Sequence, residues 1–115
     1  MLEKHLKYSV KQYLEILQSR GVIYFDRLNS GKVLIKTGKE HRMVELCRSG
    51  TADFYVLQSG TVKFIELKRP QRGEQGELQK EFEARVKEQG AEYHLAESLN
   101  DVIDAIGLDL YLKDQ

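Results

Sequence analysis

The sequence predicts an α/β domain in which a central mixed β-sheet is flanked by helices. Two runs rich in β-branched and aromatic residues, 52–57 and 62–67, are separated by the turn 58–61, as in a β-hairpin. Both faces of these strands carry apolar side chains, which is typical of strands in the middle of a sheet with helices above and below. Apolar residues recur at helical spacing both before and after the hairpin.

The first helix is predicted over residues 2–19, and Gly21 ends it. Its apolar stripe consists of Leu6, Val10, Tyr13, Leu14 and Leu17. At about 100° per residue, Glu3 falls within this stripe, whereas Glu15 falls roughly opposite. Two interpretations of Glu3 stay open. It either interacts with the helix dipole near the terminus, which is favoured when the residue is taken alone, or reaches inward to a cation.

The next part of the chain predicts two more strands and a loop. Residues 22–28 and 33–36 have strand character and are separated by the turn sequence Asn-Ser-Gly, whereas 37–50 is polar and is expected to be a loop. His41 is expected to be a surface residue. Cys47 is expected to be a small core residue, since no nearby group would activate it as a nucleophile.

The second half of the chain begins with a basic loop over 69–76, which matches no phosphate-binding fingerprint and therefore predicts no nucleotide cofactor. A helix follows over 77–89 and ends at Gly90. Its expected buried stripe is Leu78, Phe82 and Val86. Gln79 lies at the rim of that stripe, where it is either a surface residue or a group that orients a water or a phosphate.

The last part of the chain predicts a strand over 93–96 and then a helix that ends at Ile106. Ser98 with Asp101 three residues later is an N-cap pattern for this helix. Residues 108–112 are rich in leucine and are expected to be buried, against a second copy of the chain.

Length and composition predict a single domain over 1–115, because 115 residues are enough for one hydrophobic core. The single cysteine and the absence of a long apolar run predict a cytoplasmic protein that does not enter membranes. The 18 basic and 18 acidic side chains are unevenly spread, since residues 20–50 are mainly basic and residues from 92 onward mainly acidic. This asymmetry suits a polyanion bound on one side, or is simply solvated surface.

The predicted hairpin brings two acids together. If the turn is centred on residues 59–60, Tyr55 lies opposite Phe64 and Asp53 lies opposite Glu66. Opposed residues have Cβ atoms about 4.5–5.5 Å apart, and like charges there are destabilising. Lys68 projects from the same face as Glu66. A divalent cation such as Mg²⁺ would offset the repulsion; alternatively, one acid pairs with Lys68 while the other is protonated or hydrated.

These residues, in their order along the chain, resemble the VRR-NUC (virus-type replication-repair nuclease) family of the PD-(D/E)XK nuclease superfamily. The resemblance covers the chain from Glu3 to about Ile106. Its most specific parts are Gly-Thr-Ala-Asp at 50–53, Phe-Ile-Glu-Leu-Lys at 64–68, Gln79 and Gly-Ala-Glu-Tyr at 90–93. Ala52 stands where the superfamily pattern has proline; this position shapes the entry to the strand and donates nothing to a metal.

The resemblance implies a restriction-endonuclease-like core and a catalytic centre that binds one or two Mg²⁺ or Mn²⁺ ions. The implied metal ligands are Asp53, Glu66, the carbonyl of Leu67, and Glu3. Lys68 would orient or deprotonate the attacking water, and Gln79 would help to fix the water or the substrate. The candidates for phosphate contacts, and hence for nucleic-acid binding, are Arg27, Lys32, Arg69 and Arg72.

The implied function is that of a structure-selective DNA endonuclease, such as a homodimeric resolvase of four-way junctions in replication, recombination or repair. The implied compartment is the bacterial cytoplasm, or the host cytoplasm for a phage protein. The alternative is a nucleic-acid-binding or assembly module that keeps the fold without catalysis. A small-molecule hydrolase is disfavoured because the sequence offers no Ser/His/Asp or Cys/His constellation.

Overall fold

A computed structural model describes residues 3–68 and 76–107, without the side chain of Glu3. Within these ranges the protein is mixed α/β, with three helices, a four-stranded sheet and a separate two-stranded sheet. The elements are α1 Glu3–Ser19, β1 Tyr24–Arg27, β2 Lys32–Thr37, β3 Glu40–Glu45, β4 Phe54–Gln58, β5 Thr61–Leu67, α2 Glu77–Glu88, β6 Glu92–Ala96 and α3 Leu99–Ile106. No helix in the described part is long and apolar enough to cross a membrane.

The larger sheet is mixed, as the sequence predicts. Its strand order is β1-β4-β5-β6, with β1 and β5 antiparallel to β4 and with β6 parallel to β5. A parallel neighbour needs a crossover connection, and the segment that contains α2 provides it. The carboxyl ends of β5 and β6 therefore lie at the same edge of the sheet as the start of β4.

The central hairpin has the predicted register. Tyr55 pairs with Phe64 and Gln58 pairs with Thr61. Ser59 and Gly60 between the strands have positive φ angles of 50° and 81°. Positive φ at both central residues characterises the type I′ turn, whose twist matches that of two antiparallel strands. The two-residue turn therefore sets which side chains share a face of the sheet.

One face of the sheet forms the dry core of the protein. Helices α1 and α3 cover this face, and α1 contributes the predicted apolar stripe, of which Tyr13 is only partly buried. The fully buried strand residues on this face are Phe54, Val56, Ile65 and Leu67. Burying a side chain of this size stabilises the fold by about 1.5–3 kcal/mol. This layer holds β4 and β5 rigidly in register.

The opposite face is only partly covered, by α2. Phe82 contacts Phe64 and Tyr93, with ring centroids 5.0 and 6.0 Å apart. The expected buried stripe of α2 is wrong, because Leu78 is 54% exposed and no residue of this helix is fully buried. The apolar residues of α2 contact the sheet on one side, through Phe82, and are partly exposed to solvent on the other. This face is therefore less completely covered than the core face, although Glu66 on it is buried.

The prediction of a loop over 37–50 is also wrong. Residues Glu40–Glu45 form β3, which pairs with β2 around a turn at residues 38–39. The strand before the Asn-Ser-Gly turn, β1, pairs with β4 instead of β2. The sequence pattern does not predict β3, because nearly all of this strand is exposed and its residues do not alternate between apolar and polar.

The C-terminal elements follow the sequence pattern. The hydroxyl Oγ of Ser98 accepts a hydrogen bond from the Asp101 N–H at 3.2 Å, and Gly107 ends α3 in the left-handed conformation. His41 is exposed, as predicted. The prediction that Cys47 is a core residue is wrong, because its side chain is partly exposed and lies outside the buried core. Its backbone forms an isolated β-bridge with Ser30. The leucine-rich segment 108–112 lies outside the described residues.

Gly50 allows α2 to approach the loop before β4, and this contact gives a prediction. Its φ is +92°, and an added Cβ would lie 2.6 Å from the carbonyl carbon and oxygen of Leu78. We expect Gly50→Ala to lower the free energy of unfolding by at least about 2 kcal/mol, through backbone strain and this clash. Urea denaturation measures the change.

Gly60→Ala is the matched control. Gly60 also has a positive φ, of 81°, but nothing lies within 4 Å of an added Cβ. Strain alone should cost about 1 kcal/mol there. Equal losses in the two variants would contradict the close packing of Gly50 against Leu78.

Candidate active site

Asp53 and Glu66 meet at the edge of the sheet where β4 begins and β5 ends. The last ladder pair is Phe54 with Ile65, so Asp53 lies just beyond the paired strand. Its Oδ2 accepts a hydrogen bond of 2.8 Å from the backbone N–H of Leu67. The Asp53 carboxylate thus accepts a hydrogen bond that the backbone of a neighbouring strand would otherwise accept. This bond holds Asp53 against β5 at Leu67, one residue after Glu66.

Glu66 is buried, with 6% of its surface exposed. Its Oε1 accepts a hydrogen bond of 3.1 Å from the amide Nε2 of Gln79. Its Oε2 is buried and, in the carboxylate form, accepts no hydrogen bond from the described residues. A buried carboxylate oxygen without a partner is costly in a folded protein. This oxygen is therefore a position at which a cation or a proton would stabilise the site.

Burial raises the pKa of the Glu66 carboxyl from its ordinary 4.5 to about 8, and both repulsion from Asp53 and a hydrogen bond between the two acids add to the shift. The ammonium groups of Lys68 and Lys7 act in the opposite direction and lower this pKa. In the metal-free protein, Glu66 therefore keeps its proton at neutral pH. The two acids do not carry two full negative charges side by side unless a cation binds.

Lys7 is a site residue that the sequence reasoning missed. Its Nζ lies 3.3 Å from Oδ1 of Asp53, and both side chains are partly buried. Lys7 follows Glu3 by four residues, so the two share one face of α1. The position of Glu3 in the apolar stripe could have drawn attention to Lys7. The helical pattern does not identify the partner of Lys7, because Asp53 lies 46 residues further along the chain.

The alternative interpretation of the paired acids is partly realised in the metal-free protein, with a different lysine. One acid is ion-paired and the other is protonated, but the partner of Asp53 is Lys7. Lys68 lies directly after β5 and is partly buried. Its backbone N–H donates a 2.8 Å hydrogen bond to the carbonyl of Ala96, which fixes this residue at the end of the parallel pair β5–β6.

Gln79 connects Glu66 to the beginning of α2. While Nε2 donates to Glu66, Oε1 accepts a hydrogen bond of 3.0 Å from the backbone N–H of Gly76. Both ends of the amide are therefore used, and this network assigns its orientation. Gln79 is therefore partly buried and orients the Glu66 carboxyl group; that it also orients a water or a phosphate stays a prediction.

The other predicted site residues lie as follows. Glu3 is the first residue of α1, one turn before Lys7, and its side chain is outside the described part. Arg27 is the last residue of β1, is exposed, and pairs with Phe54 next to Asp53. Lys32 is exposed at the start of β2. Arg69 and Arg72 belong to the segment that the structure does not describe.

The donor set fits a hard divalent cation. The described residues contain no group of three or more His, Cys, Asp or Glu side chains suited to a metal. Mg²⁺, however, commonly binds through one or two carboxylates and keeps several waters. Asp53 and the partnerless Oε2 of Glu66 supply carboxylate oxygens of this kind.

The fold and the site together define a mixed α/β protein with a two-carboxylate centre, flanked by lysines and an amide, at one edge of its sheet. No protein-family model matches the chain, and no curated protein matches it. Its function is therefore argued from this centre alone.

The raised pKa of Glu66 gives a prediction for the metal-free protein. The pKa is higher in the folded state than in the unfolded state, so the stabilising contribution of the protonated group is complete below about pH 4.5 and is lost as the pH rises through about 8. Glu66→Gln is neutral at every pH and keeps an acceptor for Gln79. We expect similar stabilities at pH 5, and a variant more stable by over about 1 kcal/mol at pH 9.

Urea denaturation in EDTA at a series of pH values measures this difference. Glu88→Gln, at the exposed end of α2, serves as the control and should follow the wild-type curve. Parallel curves for the wild type and Glu66→Gln from pH 5 to 9 would show that Glu66 does not titrate as described.

Proposed function

We propose that this protein is a metal-dependent DNA endonuclease of the VRR-NUC type, with a restriction-endonuclease-like core, that hydrolyses phosphodiester bonds in branched DNA. The observation that carries the proposal is the convergence of Asp53, Glu66 and Gln79 at one sheet edge, with Glu66 Oε2 buried and without a partner among the described residues. A domain that only binds nucleic acid has no need for opposed acids in this position.

The residues that would hold Mg²⁺ or Mn²⁺ are Asp53, Glu66, the carbonyl of Leu67, and Glu3. The bound ion would act as a Lewis acid on the scissile phosphate and lower the pKa of a bound water. The residues fit a cation for two reasons. Glu66 Oε2 accepts no hydrogen bond from the described residues, and the Glu66 and Asp53 carboxylates repel each other. A bound cation would therefore stabilise the pair of carboxylates.

The protein's own groups divide the remaining work. Lys68, fixed beside Glu66 at the end of β5, would orient the attacking water and offset the negative charge that develops on the phosphate. Gln79 would hold the Glu66 carboxylate in one orientation through its hydrogen bond. Lys7 would balance the charge of Asp53 until substrate and metal bind.

The proposed substrate is DNA with branches, such as a four-way junction, and the proposed active form is a homodimer. Arg27 and Lys32 are exposed, as phosphate contacts require, and Arg27 pairs with Phe54 next to Asp53. Arg69 and Arg72 extend the same proposal. A two-fold dimer would present two catalytic centres to two strands.

The second candidate function is a non-catalytic nucleic-acid-binding or assembly module. The Lys7–Asp53 ion pair favours it, because a lysine can neutralise one acid without any metal. The protonated state of Glu66 removes the other charge in the same way. The two candidates differ in whether a divalent cation displaces this arrangement.

The cleavage prediction separates the two candidates. We expect the purified protein to cut labelled four-way junction, flap or duplex DNA in Mn²⁺ or Mg²⁺ but not in EDTA. Glu66→Ala and Lys68→Ala should lower the cleavage rate by more than about 100-fold, since each removes a group at the reacting phosphate. Both variants should keep their fold and their DNA affinity, as measured by circular dichroism and by binding in EDTA.

Lys87→Ala is the matched control, because Lys87 pairs with Glu83 on the exposed side of α2. It should cut at the wild-type rate. DNA binding without any cleavage by the wild type would favour the binding module, and full activity in Glu66→Ala or Lys68→Ala would refute the site assignment.

The dimer prediction is tested by light scattering at tens of micromolar protein. A mass near twice the 13.3 kDa of the chain is expected. A monomeric mass, unchanged on adding a four-way junction, would contradict the proposed arrangement of two centres.

A further inference from the structure

Strands β2 and β3 with the turn between them, here called the β2–β3 arm, project from the same edge of the sheet as the acidic site. The backbone N–H of Leu28, one residue after β1, donates a 2.8 Å hydrogen bond to the carbonyl of Asp53. The chain then leaves the sheet into the arm and returns through residues 46–53 to Asp53 itself. Both ends of the arm are therefore anchored beside the candidate active site.

The base of the arm is held by a small network of backbone hydrogen bonds. Gly31 donates to the carbonyl of Cys47 at 3.1 Å, Leu46 donates to Gly31 at 2.8 Å, and Cys47 donates to Asn29 at 2.9 Å. These bonds join the outgoing and returning segments. The two strands of the arm are therefore tied together at their base.

The arm is exposed along its length. Every residue of β2 is exposed, and within the described residues no other helix or strand packs against the arm to a comparable extent. Leu34 and Met43 are directly opposed and are 49% and 59% exposed. A two-stranded hairpin alone is marginally stable in water. The apolar pair and this marginal stability point to a partner that covers the arm.

The charge pattern of the arm identifies the kind of partner. Between residues 32 and 45 there are four cations, Lys32, Lys36, Lys39 and Arg42, against two anions, Glu40 and Glu45. Residues of one strand at a spacing of two share a face, so Lys32, Leu34 and Lys36 lie together, and they face Glu45, Met43 and His41 respectively. Lys36 faces His41 and no acid, and it lies near Lys39 in the turn at the tip of the arm. Cations beside an exposed apolar pair suit DNA, in which phosphates flank the bases.

We infer that the β2–β3 arm binds duplex DNA in the major groove next to the scissile phosphate. The major groove is about 12 Å wide and admits a two-stranded β-ribbon. Strands of six residues extend for about 20 Å, which corresponds to roughly six base pairs. Lys36 and Lys39 bind phosphates on the rims of the groove, and Leu34 with Met43 contacts the base edges. This inference rests on the proposed function, because it makes the arm the element that delivers DNA to that site.

The first experiment measures binding without catalysis. A labelled four-way junction and a duplex are titrated in EDTA at several salt concentrations with the wild type and with Lys36→Ala/Lys39→Ala. We expect the double variant to bind at least about 10-fold more weakly. The slope of log affinity against log salt should fall in magnitude by about 1.8, because about 0.9 is lost with each phosphate contact.

Lys11→Ala/Arg20→Ala is the control with the same change in net charge. Both residues are exposed and lie outside the arm, Lys11 on α1, where it pairs with Glu15, and Arg20 directly after α1. This control should keep the affinity and the salt slope of the wild type. A loss equal to that of the arm variant would mean that net charge alone governs binding, and the inference would be overturned.

A second variant distinguishes DNA from a second copy of the chain as the partner of the arm. Leu34→Ser/Met43→Ser changes only exposed side chains, so the fold should persist by circular dichroism. We expect weaker DNA binding and an unchanged mass by light scattering. Conversion of a dimer to a monomer, with the DNA affinity of each protomer unchanged, would show that the arm binds another copy and would overturn the inference.

The outcomes also separate this inference from the proposed function. If the wild type cuts no DNA but the arm variants lose binding and salt dependence, the nuclease proposal fails and the arm is still the DNA contact. If the wild type cuts DNA in Mn²⁺ and the arm variants bind and cut like the wild type, the nuclease proposal stands and the arm inference is refuted.

Discussion

The site depends on the close approach of the Asp53 and Glu66 carboxyl groups, which the fold enforces at the end of the central hairpin. The Leu67 N–H holds Asp53 in place, while burial surrounds Glu66 with little water. Two acids in such a position repel each other, and burial alone already disfavours the charged form of Glu66. The neighbouring groups offset this repulsion in part, because Lys7 forms an ion pair with Asp53 and Gln79 donates a hydrogen bond to Glu66.

The two faces of the sheet are built differently, and this difference makes the constraint useful. The face under α1 and α3 is closely packed, so the backbone that carries the acids cannot relax to separate them. The other face is only partly covered by α2, whose approach depends on Gly50. The acids thus have a rigid support on one side and a partly covered face on the other, an arrangement that suits the proposed hydrolytic site.

The acidic edge and the β2–β3 arm are connected by a few residues of backbone. If the arm binds a duplex, the phosphates nearest its base lie close to Asp53, and selection of DNA and hydrolysis become properties of one end of the molecule. The even total of 18 basic and 18 acidic side chains conceals an uneven distribution, because the arm carries four cations against two anions. A local field of this kind can attract a polyanion although the net charge is zero.

The sequence by itself determined the central hairpin, its register and the meeting of Asp53 with Glu66, because a two-residue turn and a side-chain period of two leave little freedom. It also determined α1, the Ser98 cap and the mixed character of the sheet. Tertiary structure decided the partner of β1, the existence of β3, the exposure of α2 and the contact of Lys7 with Asp53. Each of these depends on groups distant in sequence or on which surfaces stay uncovered, and local periodicity carries no information about either.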